Sequence, residues 1–170
     1  DENNWEEYYV IFVTKNGMVK KNRLIDVAKS GNRDLRESGK LSIKLDAKDE
    51  LVSIKLATKS DDVLMSTYDG KCLRFPIDKL RLFSGLNSSG VKGINLDKNN
   101  FVISQAILKH SLIDMAIRQD YLKSSASNRK NLSALKDEFE ELNKNEEFLL
   151  AVTNRGYGKR SSAYEYRISN

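Results

Sequence analysis

Apolar residues along this chain fall in short runs of β character, each closed by a glycine turn. The run Val10-Ile11-Phe12-Val13-Thr14-Lys15-Asn16-Gly17-Met18-Val19-Lys20-Lys21 returns without gaps as Val63-Leu64-Met65-Ser66-Thr67-Tyr68-Asp69-Gly70-Lys71-Cys72-Leu73-Arg74. It returns again as Leu149-Leu150-Ala151-Val152-Thr153-Asn154-Arg155-Gly156-Tyr157-Gly158-Lys159-Arg160. In all three, aliphatics stand six and seven places before the glycine, Thr14, Thr67 and Thr153 three places before it, and Lys21, Arg74 and Arg160 four places after it. Each run predicts a β-hairpin, because a turn glycine accepts the positive φ that such turns need. The mixed apolar and basic residues after the turn predict a second strand with one buried and one wet face.

A second element repeats at an offset of 51 residues: Ser38-Gly39-Lys40-Leu41-Ser42-Ile43-Lys44-Leu45-Asp46 and Ser89-Gly90-Val91-Lys92-Gly93-Ile94-Asn95-Leu96-Asp97. Its alternation predicts Leu41, Ile43 and Leu45 inside and Lys40, Ser42 and Lys44 outside. Apolar runs at 51–56 and 101–107 close each unit, so each supplies about four strands, the blade size of propeller-like folds. The turn glycines lie 53 and then 86 residues apart. The surplus falls where the period becomes helical: Leu112, Met115, Ile117 and Leu122, then Leu132, Leu135, Phe139 and Leu142 at helical spacing. The expected organisation is an acidic segment 1–8, blades at 9–58 and 59–108, a helical insert at 109–147, and the first hairpin of an incomplete blade at 148–170. The third sheet should therefore carry an unpaired edge. The insert reads as a surface decoration or a docking site.

Charge sharpens this picture. The net +5 of the 170 residues is concentrated in 9–58 (+5), 59–106 (+2) and 148–170 (+3), against −4 over 1–8 and −1 over 107–147. Blocks of this kind suit a polyanion. Candidate chemistry is sparse. One cysteine, Cys72, excludes an internal disulfide, favours a cytoplasmic setting and reads as a small buried hydrophobe. One histidine, His110, cannot build a His/Cys zinc site with it. Neither a Walker-type loop nor a GxGxxG is present, and no apolar run is long enough to span a bilayer. The acidic start without Met argues against an intact signal peptide and suggests a piece of something larger. Tyr8, Tyr9, Phe12, Phe75, Phe83, Phe101 and Phe148 sit in strand patterns and are expected in the core; Tyr68 and Tyr157 flank turns.

Thr14-Lys15-Asn16-Gly17-Met18-Val19-Lys20-Lys21, Gly70-Lys71-Cys72-Leu73-Arg74-Phe75, Gly90-Val91-Lys92-Gly93-Ile94 and Asn154-Arg155-Gly156-Tyr157-Gly158-Lys159-Arg160 with Glu165-Tyr166-Arg167 resemble, in order, the C-terminal domain of the DNA gyrase A protein. The resemblance covers 9–107 and 148–170. It implies a mainly β, propeller-like β-pinwheel with strands exchanged between neighbouring blades, here a fragment of two blades and the start of a third. It also implies double-stranded DNA as partner, wrapped on a basic outer rim in support of ATP-dependent negative supercoiling by a type II topoisomerase. The rest of the gyrase A protein and the gyrase B protein, in an A2B2 heterotetramer, are the implied protein partners. ATP and Mg would act elsewhere in the holoenzyme, with no cofactor in this fragment, no catalytic residue and no membrane. The implied location is the cytoplasm, on the nucleoid. The family's Gln-Arg-Arg-Gly-Gly-Lys-Gly box is missing, and Gly90-Val91-Lys92-Gly93 is a degenerate counterpart.

The expected DNA-binding residues are Lys20, Lys21, Arg23, Arg74, Lys79, Arg81, Lys92, Lys159, Arg160 and Arg167. Lys21, Arg74 and Arg160 rank first because they recur in register; Arg33, Arg36, Lys40 and Lys44 form a second tier. Evenly placed cations on a rigid β scaffold would follow a phosphate backbone without reading bases. Two alternatives remain open on the residues. One is the C-terminal domain of the topoisomerase IV A protein. The other is a propeller-type protein-interaction module of kelch or WD40 kind, although the double-glycine and Trp-Asp signatures of those repeats are missing.

Overall fold

The structure, a computed structural model, describes residues 2–28, 41–124 and 136–169. The chain forms two compact units, Asp1–Ile107 with Ile168–Asn170, and Leu108–Arg167.

In the first unit, β1 (Tyr9–Thr14) and β2 (Met18–Arg23) form the first hairpin, followed by α1 (Leu24–Ala28) and β3 (Leu51–Ala57). The second hairpin is β4 (Asp61–Thr67) with β5 (Cys72–Pro76), followed by β6 (Val91–Lys92) and β7 (Val102–Lys109). One sheet has the order β3-β1-β2-β6 and another β5-β4-β7. The pairs of known register are antiparallel. The short β6 comes from the second repeat yet completes the sheet of the first, with Met18 opposite Lys92 and Val19 opposite Val91. The same exchange recurs one unit later, where Ile168 bridges in parallel to Arg74 as Leu82 bridges to Lys21. The sheets are therefore interleaved rather than cut at the repeat boundaries.

Close approach is what the exchange requires of Gly90. It sits at φ +87°, and a Cβ there would lie 2.4 Å from the Val19 carbonyl oxygen. Only glycine lets the crossing strand lie this near β2.

β1 is apolar on both faces because both are covered. Ile11 and Val13 join Val19, Ala57, Val63, Met65, Ile77 and Val102 in one cluster, while Val10 and Phe12 pack with Ile43. Each buried Val, Ile, Met or Phe side chain among them contributes about 1.5–3 kcal/mol on burial. Two expectations are corrected. β2 has no wet face along Val19–Asn22, all of which are buried. In the repeated second element, Ile43 is buried, but Leu41 and Leu45 are exposed and residues 41–46 form no strand.

In the second unit, α2 (Met115–Lys123) and α3 (Lys136–Asn145) precede the third hairpin, β8 (Phe148–Val152) with β9 (Gly158–Ser162). Asp114 caps α2, its carboxylate accepting from the Ala116 N–H at 2.7 Å. Tyr121, Phe139 and Leu142 from the helices meet Tyr164, from the turn after β9, in a core of edge-to-face rings. The Tyr164 hydroxyl donates to the Leu142 carbonyl at 3.0 Å. The helical residues thus build the core of this unit. Leu112 and Met115, expected on the packed stripe, are exposed; Leu132 and Leu135 lie outside the described residues.

Candidate nucleic-acid interface

The three hairpin turns are built alike. The glycine N–H donates to the carbonyl of the threonine three places back, Gly17 to Thr14, Gly70 to Thr67 and Gly156 to Thr153, each at 3.0 Å. The glycines stand at φ +83°, +86° and +83°. The threonine hydroxyl closes the loop: Thr14 and Thr153 Oγ1 accept from the N–H four residues on at 3.2 Å, and Thr67 Oγ1, whose one proton goes to the Asp69 carboxylate, lies 2.9 Å from the Lys71 carbonyl oxygen. The recurring threonine is therefore a turn-forming residue. A second support comes from Asp49 and Asn100, whose side chains accept from the tip N–H groups of Asn16 and Asp69 at 2.9 and 3.3 Å. The Thr67 hydroxyl, then the Lys71 N–H and Asn100, hold the Asp69 carboxyl down at about 2.

The turn geometry fixes what faces the recurring base. Lys21, Arg74 and Arg160 lie opposite Ile11, Leu64 and Leu150. Diagonal to them on the same face are Tyr9, Asp62 and Phe148. Lys21 Nζ lies 5.2 Å from the Tyr9 ring centre, Arg74 Nε donates to Asp62 Oδ2 at 2.7 Å, and the Arg160 guanidinium lies 4.3 Å from the Phe148 ring centre.

Exposure then separates the three. Lys21 is 6% exposed and Arg74 1%, whereas Arg160 is exposed. Lys20 is fully buried. Lys21 Nζ donates to the Ile77 carbonyl at 2.9 Å, and Lys20 Nζ to those of Ser42 and Leu86 at 2.9 and 2.5 Å. Burial lowers the pKa of both amines; for Lys21 the nearby Asp78 carboxylate opposes the shift. Neither side chain faces solvent, nor does that of Arg74, whose charge is matched by buried Asp62. The expectation that Lys20, Lys21 and Arg74 line a phosphate-binding face is corrected. A buried cation bound to carbonyls or a carboxylate cannot meet a polyanion without unfolding its surroundings.

Arg23 is exposed but forks onto Asp26 through two hydrogen bonds, 2.9 and 3.2 Å. Lys159 is exposed and pairs with Glu165 at 3.3 Å. Lys79, Arg81 and Lys92 in the first unit, and Arg160 and Arg167 in the second, are exposed and form no ion pair among the described residues. Arg81 lies 5.1 Å from the Phe83 ring centre, an aromatic support that leaves its N–H groups open. Lys44 is also exposed; Arg33, Arg36 and Lys40 lie outside the described residues. Tyr68 is exposed and stacks on Phe101 at 4.9 Å, and Tyr157 is exposed. Two further expectations fail: Phe148 is half exposed, and Cys72 is exposed rather than buried.

Two residues that hold this arrangement do not figure among the sequence-based candidates. Asp62 carried a readable signal, an acid at the head of an apolar strand and diagonal to a base once the turn is placed. Asn22, whose amide donates to the Phe83 carbonyl at 2.6 Å, carried none, because its partner is 61 residues away. Among the described residues, no group of three or more His, Cys, Asp or Glu side chains could hold a metal ion, and no helix is long and apolar enough to cross a membrane.

A family model described as "DNA gyrase C-terminal domain, beta-propeller" matches residues 8–31, 61–106 and 147–170. The chain is 33% identical over 195 residues to the DNA gyrase A protein of Granulibacter bethesdensis, covering 99% of this chain and 20% of that protein. It is 34% identical over 183 residues to the DNA gyrase A protein of Rickettsia typhi, covering 100% of this chain and 20% of that protein. This chain thus spans about a fifth of the length of the curated relatives it matches. Among solved structures, the C-terminal domain of DNA topoisomerase IV superposes with a TM-score of 0.66 at 24% identity, covering 98% of this chain and 40% of that one. The DNA gyrase A C-terminal domain superposes with 0.65 at 18% identity, covering 97% and 41%. These likenesses show a shared fold.

Proposed function

This chain belongs to the DNA gyrase C-terminal domain family, and on that premise we propose that it binds the phosphate backbone of double-stranded DNA as part of the wrapping region of a gyrase A protein. The observation that carries the reading is the set of open cations Lys79, Arg81 and Lys92 in the first unit. They are exposed and, among the described residues, free of carboxylates, while Lys20, Lys21 and Arg74 are locked inside. Cations on short, well-held segments of a β scaffold contact phosphates with little ordering cost, and each contact releases counterions. No base-edge reading is involved. The whole gyrase A protein would act with the gyrase B protein, ATP and Mg in the cytoplasm, introducing negative supercoils. Topoisomerase IV is the second reading, favoured by a structural likeness equal to that of gyrase.

Duplex binding followed by fluorescence anisotropy over a salt series tests the proposal. Affinity should be independent of sequence and fall steeply with salt. Replacing Lys79, Arg81 and Lys92 together by Ala should flatten the log–log salt slope by about 3, close to one per lost contact. An unchanged slope in a folded variant rejects these cations as the interface. Negative supercoiling of a relaxed plasmid by the intact protein, with its gyrase B partner and ATP, separates the gyrase reading from the topoisomerase IV one.

A further inference from the structure

We propose that Lys20, Lys21 and Asn22 of β2 are positioning residues for DNA contact, three consecutive side chains that grip the main-chain carbonyls of residues 77–86 and so hold Lys79 and Arg81 in place. This rests on the DNA-binding reading above and assigns a task to bases that cannot touch DNA themselves.

Residues 77–86 have little structure of their own. After the short 3₁₀ turn Ile77–Lys79 they form no strand, only the single bridge from Leu82 to Lys21. Ile77 is buried in the core with Leu80 packed against it, Asp78 pairs with Lys59 at 3.7 Å, and the hydrogen bonds from a neighbouring strand come from β2. Lys21 Nζ donates to the Ile77 carbonyl at 2.9 Å, and the Phe83 N–H donates to the Lys21 carbonyl at 2.9 Å. The Asn22 amide donates to the carbonyls of Phe83 and Gly85 at 2.6 and 3.3 Å, and Lys20 Nζ reaches the Leu86 carbonyl at 2.5 Å. Lys79 and Arg81 lie between the first and second of these anchor points. Consecutive strand residues point to opposite faces, so Lys21 and the Lys20/Asn22 pair grip from two sides. Apolar side chains of similar size would fill the space but leave the carbonyls unpaired, which is the costly outcome.

The arrangement recurs. At the register position of Lys21, the next sheet places buried Arg74, whose carbonyl accepts from the Ser169 N–H at 2.8 Å and which is bridged by Ile168. The residue just before each bridging position is an exposed arginine, Arg81 before Leu82 and Arg167 before Ile168. A short 3₁₀ turn precedes each, at Ile77–Lys79 and Ala163–Glu165. Twice, then, the backbone carbonyl of a buried base on the second strand of a hairpin accepts from the N–H two places after an exposed arginine.

The test uses the full chain and the variants Lys21→Met, Lys21→Arg, Asn22→Leu and the double variant Lys79→Ala/Arg81→Ala. Two quantities are read: amide hydrogen exchange, and the salt slope for a duplex several helical turns long. Lys21→Met should speed exchange over residues 78–88 by about ten- to a hundred-fold while β1 and β4 stay protected. It should also flatten the salt slope by about 2, as the double alanine variant does. Lys21→Arg, which keeps a donor, should restore most of both. Should Lys21→Met fail to fold, Asn22→Leu carries the same two measurements. Faster exchange with an unchanged slope overturns the proposal, since the cations would then need no positioning. A flatter slope with unchanged exchange also overturns it, since Lys21 would be touching phosphate. A double alanine variant that leaves the slope unchanged overturns the DNA-binding reading instead, whatever the exchange shows.

Discussion

The first two hairpins and the third share a sequence pattern and a turn geometry, yet they differ in what covers them. β1 and β4 are buried almost throughout, whereas β8 is exposed at Phe148, Leu150, Ala151 and Val152. The base four places after the turn glycine follows suit, with Lys21 and Arg74 inside and Arg160 in solvent. A crossing segment makes the difference. Leu82 bridges to Lys21 and Ile168 to Arg74, while the third sheet comprises β8 and β9 alone among the described residues. A motif therefore specifies where a side chain points; its neighbours decide whether that place is dry.

The largest effect should come from breaking the base itself. Arg74→Ala removes the buried cation that pairs with the buried Asp62 carboxylate and should cost about 3–5 kcal/mol. Arg160→Ala, at the same register position, should stay within about 0.5 kcal/mol. Urea denaturation of the two variants measures the contrast, and equal losses would erase it.

The turn glycines sharpen the comparison at smaller scale. Gly156 has open space around it, so Gly156→Ala should cost only the left-handed backbone penalty, about 1–2 kcal/mol. At Gly17 a Cβ would also meet the side chain and carbonyl oxygen of Ile94 at 2.9 Å, so Gly17→Ala should cost about 1–3 kcal/mol more. Thermal unfolding of the pair reads the difference.

The smallest effect is a pH dependence confined to the second hairpin. Asp69 is held at about 2 in the folded state, below an unfolded value near 4, so its contribution is present above pH about 4 and is lost as pH falls through about 2. The stabilities of the wild type and Asp69→Asn should differ at neutral pH and converge on acidification. The other turns carry Asn16 and Arg155 at this position, and changing them should show no such convergence.

Much of this molecule was legible in its residues. The three hairpins and their turn glycines rest on local periodicity, and the structure contains each of them; α2 and α3 lie where the period becomes helical, while residues 41–46 of the repeated second element form no strand. The exchange of strands came with the family resemblance, and Gly90 shows its physical requirement. The site was legible only in part: Lys79, Arg81, Lys92, Lys159, Arg160 and Arg167 are exposed, Arg23 is occupied by Asp26, and Lys20, Lys21 and Arg74 are inside.

Local sequence determined the elements, because a turn glycine, a threonine three places earlier and an aliphatic run act over a dozen residues. It also determined which side chains share a face, since strand alternation and turn register follow from the same short segment. Whether such a face meets water was decided by the tertiary fold alone. The groups that enclose Lys20, Lys21 and Asn22 arrive from up to 66 residues away, and no local pattern on β2 announces them.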